Sequence, residues 1–128
     1  IYVNKKWRNY FRSVPRIKMS YPLDWETFFF DTTTGKVDIV LNPIFKSNFN
    51  NFRSPTKFFD ITRLEAVGIY SNLKPFRGFI NHNHDGISLD NNIDDWIEKI
   101  SFLLDNSDVR EKLFLNALKR SENPCNDA

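Results

Sequence analysis

The chain has 128 residues, with 18 Lys and Arg against 16 Asp and Glu, 13 Phe and a single Cys. That length suits one domain with a single core, and so much aromatic material excludes a disordered chain. No apolar run approaches the roughly 18 residues needed to cross a bilayer, and the lone Cys125 excludes a disulfide framework, which fits a reducing cytoplasm.

The charge is uneven. Residues 1 to 18 carry Lys5, Lys6, Arg8, Arg12, Arg16 and Lys18 and no acid, so the remaining 110 residues hold 12 basic and 16 acidic side chains. Tyr2, Trp7, Tyr10 and Phe11 are interleaved with the early cations. Such a segment either docks on an anionic surface or packs its aromatics as a short basic helix. The chain opens on Ile1 without an initiator Met, and an excerpt of a longer protein or a processed product is expected.

In chain order, residues 1–15 read as a basic lead and "RIKMS" (16–20) as a marginal strand. Asp24 can cap a short helix through "WETFFF", whose phenylalanines are expected in the core. "VDIVLNPIF" (37–45) is a strong strand ending at a proline. Ser54 and Pro55 supply a cap and a first-turn proline for a helix running to about Val67, with Gly68 as its stop. Phe58, Ile61, Leu64 and Val67 form the inward face of that helix. "GIYSN" (68–72) and "GISLD" (86–90) read as further short strands. Asn92 then caps a helix with Ile93, Trp96, Ile97, Ile100 and Leu104 at the 3.6 period and Asp94 and Asp95 in its first turn. A last helix covers Asp108 to about Arg120, and 121–128 is a tail. Short apolar strands separated by helices predict an α/β, Rossmann-like parallel sheet flanked by helices. The whole of 1–128 is expected to be a single α/β domain, with its core over 16–120.

Ligands of open α/β sheets sit beyond the carboxyl ends of the strands, where helix N-termini point. The loop after "DIVLNP" has that position. Its asparagines offer side-chain amides, Arg53 and Lys57 place two cations at i, i+4, and Asp60 could accept from vicinal hydroxyls. A nucleotide diphosphate joined to a sugar would satisfy all three groups. The alternative is an exposed Lys57–Asp60 ion pair on a solvated helix. Tyr70 and Ser71 end a strand at the same edge and are candidates for a minor contact. Glu65, in the last turn, fits a surface or a site-facing role equally. His82 and His84, at i, i+2 in a turn beside Asp85, make poor zinc geometry, and no metal is expected.

The run from Val37 to Ser71, with "FRGFINHNHDGISLDNNIDDWIEKISFLLDNSDVREKL" after it, resembles the donor-binding C-terminal half of GT-B retaining glycosyltransferases. The matching pieces are Asp38 to Pro43, Lys57 to Asp60, Gly68 to Ser71, Ile80 to Leu89 and Leu103 to Leu113, with Arg110 at the arginine position. They span residues 37 to about 120. Their order carries the likeness, since no single piece is specific. The resemblance implies a truncation on the N-terminal side of the GT-B fold and a donor site of Asn50, Asn51, Arg53, Ser54, Lys57 and Asp60. Asp60 falls at the second glutamate of the family's pair, associated with the ribose. Phe52 stands at the first, and the Gly-rich "E-G-F-G" loop is absent; "FNNFRSPTK" instead resembles an "F-N-x-x-(K/R)-S-x-x-K" subgroup.

The activity so implied is transfer of a sugar from a nucleotide donor to a saccharide or lipid-linked acceptor, in surface-polysaccharide assembly. The acceptor is held by the absent N-terminal half, so the 128 residues alone are expected to be inert. No cofactor beyond the donor substrate and no nucleic acid is expected. Localisation is expected to be cytoplasmic, with peripheral membrane association left open. The rival reading is a non-catalytic interaction module, binding a partner, a membrane surface or a nucleic acid through its basic N-terminal segment.

Overall fold

The computed structural model of the chain describes residues 8–18 and 23–123, which fall into two compact units, 1–35 and 36–128. The first holds a one-turn helix α1 (Arg8–Phe11) and α2 (Trp25–Thr34). Asp24 caps α2 as expected, accepting from the Thr27 backbone N–H at 2.9 Å and from its hydroxyl at 2.9 Å. Those bonds, the backbone one foremost, lower the carboxyl pKa. Phe28, Phe29 and Phe30 do not form the expected core: Phe28 is half-buried and the other two are exposed. Consecutive helical positions point about 100° apart, so three neighbouring rings cannot share one buried face. The strand expected over 16–20 is absent from 16–18, where Arg16 has φ 63°; residues 19 and 20 lie outside the described residues.

The second unit runs β1 (Ile39–Asn42), α3 (Asn48–Asn51), α4 (Thr56–Arg63), β2 (Val67–Ser71), β3 (Ile87–Leu89), α5 (Ile93–Asp105) and α6 (Ser107–Glu122). The strands form a parallel sheet in the order β1-β2-β3, with Ile39 opposite Val67 and Ile69 opposite Ile87. The expected α/β class with a parallel, helix-flanked sheet is therefore observed. The central β2 is buried along its whole length, as a strand covered on both faces must be. On one face Tyr70 joins Phe58, Ile61, Phe76, Ile80 and Ala117; on the other Val67 and Ile69 join Ile87, Leu103 and Leu113. Leu113 and Ala117 let α6 serve both.

Helix α4 ends earlier than the sequence suggests. Leu64 is its C-cap, Glu65 takes φ 57°, and the Ala66 N–H donates back to the Ile61 carbonyl while Glu65 N–H reaches Thr62. This is a Schellman ending with glutamate where glycine is usual. Val67 and Gly68 thus belong to β2, and Val67 faces the opposite cluster from Phe58 and Ile61. At the front, Pro55 is the N-cap and gives no side-chain bond, so Ser54 is not the cap. Helix α5 begins at Asn92 as expected, its side chain accepting from Asp94 N–H at 2.9 Å. Its inward stripe is Trp96, Ile100 and Leu103; Ile93, Ile97 and Leu104 are exposed. The last helix extends through Ser121 and Glu122, which were expected in the tail.

Buried polar groups join the layers. Asp85 accepts from Asn81 N–H at 2.9 Å, from the Asn81 amide at 2.8 Å and from Arg120 at 2.7 Å. The Arg120 guanidinium also donates to the Phe79 carbonyl at 2.6 Å and lies over the Phe79 ring. This carboxylate is buried but fully hydrogen-bonded, the condition under which a buried ion pair is tolerated. Burial, reinforced by the nearby Asp85 charge, pushes the Tyr70 phenol pKa well above its usual value.

Two substitutions should move stability in opposite directions. Glu65→Gly removes a left-handed side chain and should stabilise by about 1 kcal/mol. Gly68→Ala puts a Cβ into the Tyr70 ring, an overpacking that should cost about 1–3 kcal/mol. Urea unfolding measures both; a neutral Gly68→Ala would mean that the ring moves aside freely.

Candidate functional site

Strand β1 ends at Asn42, and the chain leaves the carboxyl edge of the sheet through Pro43 and Ile44. A three-way polar joint fixes this departure. The Ile44 N–H donates to the Ser71 hydroxyl at 2.9 Å, that hydroxyl donates to the Asn91 side-chain oxygen at 2.6 Å, and the Asn91 amide returns to the Ile44 carbonyl at 2.7 Å. Ser71 is the last residue of β2, and Asn91 follows β3 by two positions. One closed ring of hydrogen bonds therefore ties the ends of all three strands.

From that point the loop folds on itself. Ser47 caps α3, accepting from Asn50 N–H at 3.1 Å, and the Asn50 amide donates to the Phe45 carbonyl at 2.7 Å. Asn50 is consequently half-buried and anchors the loop. Asn51, Arg53 and Ser54 are exposed, with the Arg53 guanidinium 5.6 Å from the centre of the Phe49 ring. Lys57 is the second residue of α4, and its ammonium lies 3.4 Å from the Asp60 carboxylate, both groups about half exposed. The structure thus brings Lys57 and Asp60 together as the i, i+3 ion pair anticipated as the alternative. A pair so solvated contributes no more than a few tenths of a kcal/mol. Nothing in its energetics prevents a ligand from opening it.

Because α4 returns from the carboxyl edge, its N-terminus faces that edge, and no side chain caps it. Its first-turn N–H groups and dipole favour an anion there. The other helices starting at this edge differ: Ser47 caps α3, and Asn92 caps α5, whose first turn holds Asp94 and Asp95. An anionic ligand would be repelled from α5 and accepted beside α4.

Other candidates are placed differently. Tyr70 turns into the core against Phe76, with ring centres 4.9 Å apart. Ser71 is wholly buried and its hydroxyl already donates and accepts, so neither reaches a ligand. The His82 imidazole Nδ1 accepts from Ser88 N–H at 3.1 Å. Among the described residues no group of three or more His, Cys, Asp and Glu converges, and no helix is long and apolar enough to cross a membrane. Glu65 lines a hollow of about 330 Å³ at the opposite, amino edge, with Asp38, Arg110 and Glu111. That hollow holds none of the predicted donor-site residues, and Arg110 is occupied there, 3.7 Å from Asp38 and bonded to the Leu103 and Leu104 carbonyls. Sequence reasoning missed Asn91 as the organiser of the carboxyl edge. Its only signal, a run of two asparagines before a helix, points equally to the cap at Asn92.

Searches with family models, curated proteins and solved structures returned no match to this chain.

Ser71→Ala leaves the Ile44 N–H and one Asn91 lone pair without their shared partner. It should cost about 1–3 kcal/mol, with the largest amide-shift changes over residues 43–53. Changes confined to β2 would show that the joint does not control the loop.

Proposed function

We propose that this chain is the nucleotide-sugar-binding α/β unit of a glycosyltransferase and holds the donor diphosphate beside the start of α4. The observation that carries this reading is the uncapped α4 N-terminus at the carboxyl edge of a parallel sheet, with Arg53 and Lys57 beside it. Arg53 supplies charge to the diphosphate, and the N–H groups of Thr56 and Lys57 supply donors aligned with the helix dipole. Lys57 adds a second cation once Asp60 is drawn to the ribose hydroxyls. Asn51 and Ser54 offer an amide and a hydroxyl to the sugar, while Asn50 holds the loop in shape through Phe45.

Two further observations support the glycosyltransferase reading. The order strand, polar loop, helix, strand, turns, strand, two helices follows the order of the pieces that carry the sequence resemblance. Asp38 and Arg110, which belong to the first and last of those pieces, also form an ion pair. The chemistry asked of these residues is electrostatic: negative charge develops on the leaving diphosphate, and fixed donors stabilise it. The acceptor, a saccharide or lipid-linked sugar, is bound by another part of the protein in this reading, at the cytoplasmic face of a membrane.

Titration with uridine, guanosine and thymidine diphosphates, followed by amide shifts, tests it. At least one should perturb residues 50–60, and Arg53→Ala and Lys57→Ala should each weaken that nucleotide about tenfold, the loss of one charge-assisted bond. Shifts confined to residues 1–18, or none, would refute the proposal.

A further inference from the structure

We propose that the outer side of the β1–α4 loop is a docking surface for an anionic lipid membrane. Its three phenylalanines are thrown outward: Phe45 is 83% exposed, Phe49 74% and Phe52 91%. Each ring carries about 150–250 Å² of surface, so one short loop turns several hundred Å² of apolar area to solvent. The rings are not outward because the loop is loose. Asn50 bonds back to Phe45, Ser47 caps α3 and the Ser71–Asn91 joint holds the loop's base, so the loop is fixed while its rings face solvent.

Charge selects the occupant. From Ile39 to Phe59 there is no Asp or Glu, while Lys46, Arg53 and Lys57 supply three cations. Lys57 is matched by Asp60, and neither Lys46 nor Arg53 joins an ion pair among the described residues. The acids at the same edge, Asp90, Asp94 and Asp95, follow β3 and lie outside this loop. Protruding rings flanked by cations match the boundary of an anionic bilayer, which takes apolar side chains among headgroups and attracts nearby Lys and Arg. Single-stranded nucleic acid would feel the same charges, but it needs a groove with ring faces ready for stacking. The inference does not use the nucleotide reading and stands or falls separately from it.

Co-sedimentation of the full chain with vesicles of phosphatidylcholine and phosphatidylglycerol in equal parts tests it, with pure phosphatidylcholine as reference. The chain should bind the mixed vesicles, and binding should fall about tenfold on pure phosphatidylcholine, in Phe49→Ser/Phe52→Ser, and in Lys46→Glu/Arg53→Glu. Phe52→Trp adds a readout that does not depend on a loss: its emission, taken against the unsubstituted chain, should shift to the blue on mixed vesicles. No sedimentation, or no blue shift, overturns the proposal. So does binding that survives Phe49→Ser/Phe52→Ser, which would move the contact to the basic N-terminal segment. A thymidine oligonucleotide whose binding alone is lost in that variant would assign the patch to nucleic acid instead.

Discussion

Ser71 sits at the end of a strand that has neighbours on both sides and helices on both faces, with no access to water. A hydroxyl in that position must find protein partners or destabilise the fold by a kcal/mol or more. It finds two, Ile44 and Asn91, and Asn91 closes the ring through the Ile44 carbonyl. The direction in which the chain leaves β1 follows from this joint, and the placing of Asn50, Arg53 and α4 follows from that direction. The course of the loop, with its half-buried Asn50 and its exposed rings, starts from one buried hydroxyl.

The rest of the frame is assembled in the same manner. A three-stranded sheet offers little apolar area, and long polar reaches add to the packing that joins its helices to it. Arg110 spans from α6 to the last carbonyls of α5 and to Asp38 before β1. Arg120, one helix face further on, locks Asp85 and the turn that precedes β3. Networks of this kind are strong when every member is satisfied. In the two joints, at Ser71 and at Asp85, each polar atom named has a partner.

What was legible in the sequence was local. Asn92 and Asp24 announced their helices because a cap bonds residues two or three positions away. The parallel sheet was readable from short apolar strands, and so was the position of the 43–55 loop after one of them. What was hidden depends on choices between equivalent local signals. Gly68 looked like the stop of α4, but the chain used Glu65 and kept the glycine to make room for Tyr70. The 3.6 period in α5 gave a stripe wide enough to include Ile97 and Leu104, and packing selected Trp96, Ile100 and Leu103 instead. Asn91 pairs across 47 residues with Ile44, and no local pattern records such a partner. The spacing of Lys57 and Asp60 allowed both an ion pair and a divided pair of ligand contacts; in the structure they pair.

Gly68 and Tyr70 together leave the protein with an optical clock. The phenol lies back over the glycine, buried against Phe76, where burial and the Asp85 charge hold it in its neutral form. After a jump to alkaline solution, this phenol can ionise only when β2 parts from the helices above it. The slow component of the ultraviolet change would therefore time the opening of the sheet's central strand, read without any label.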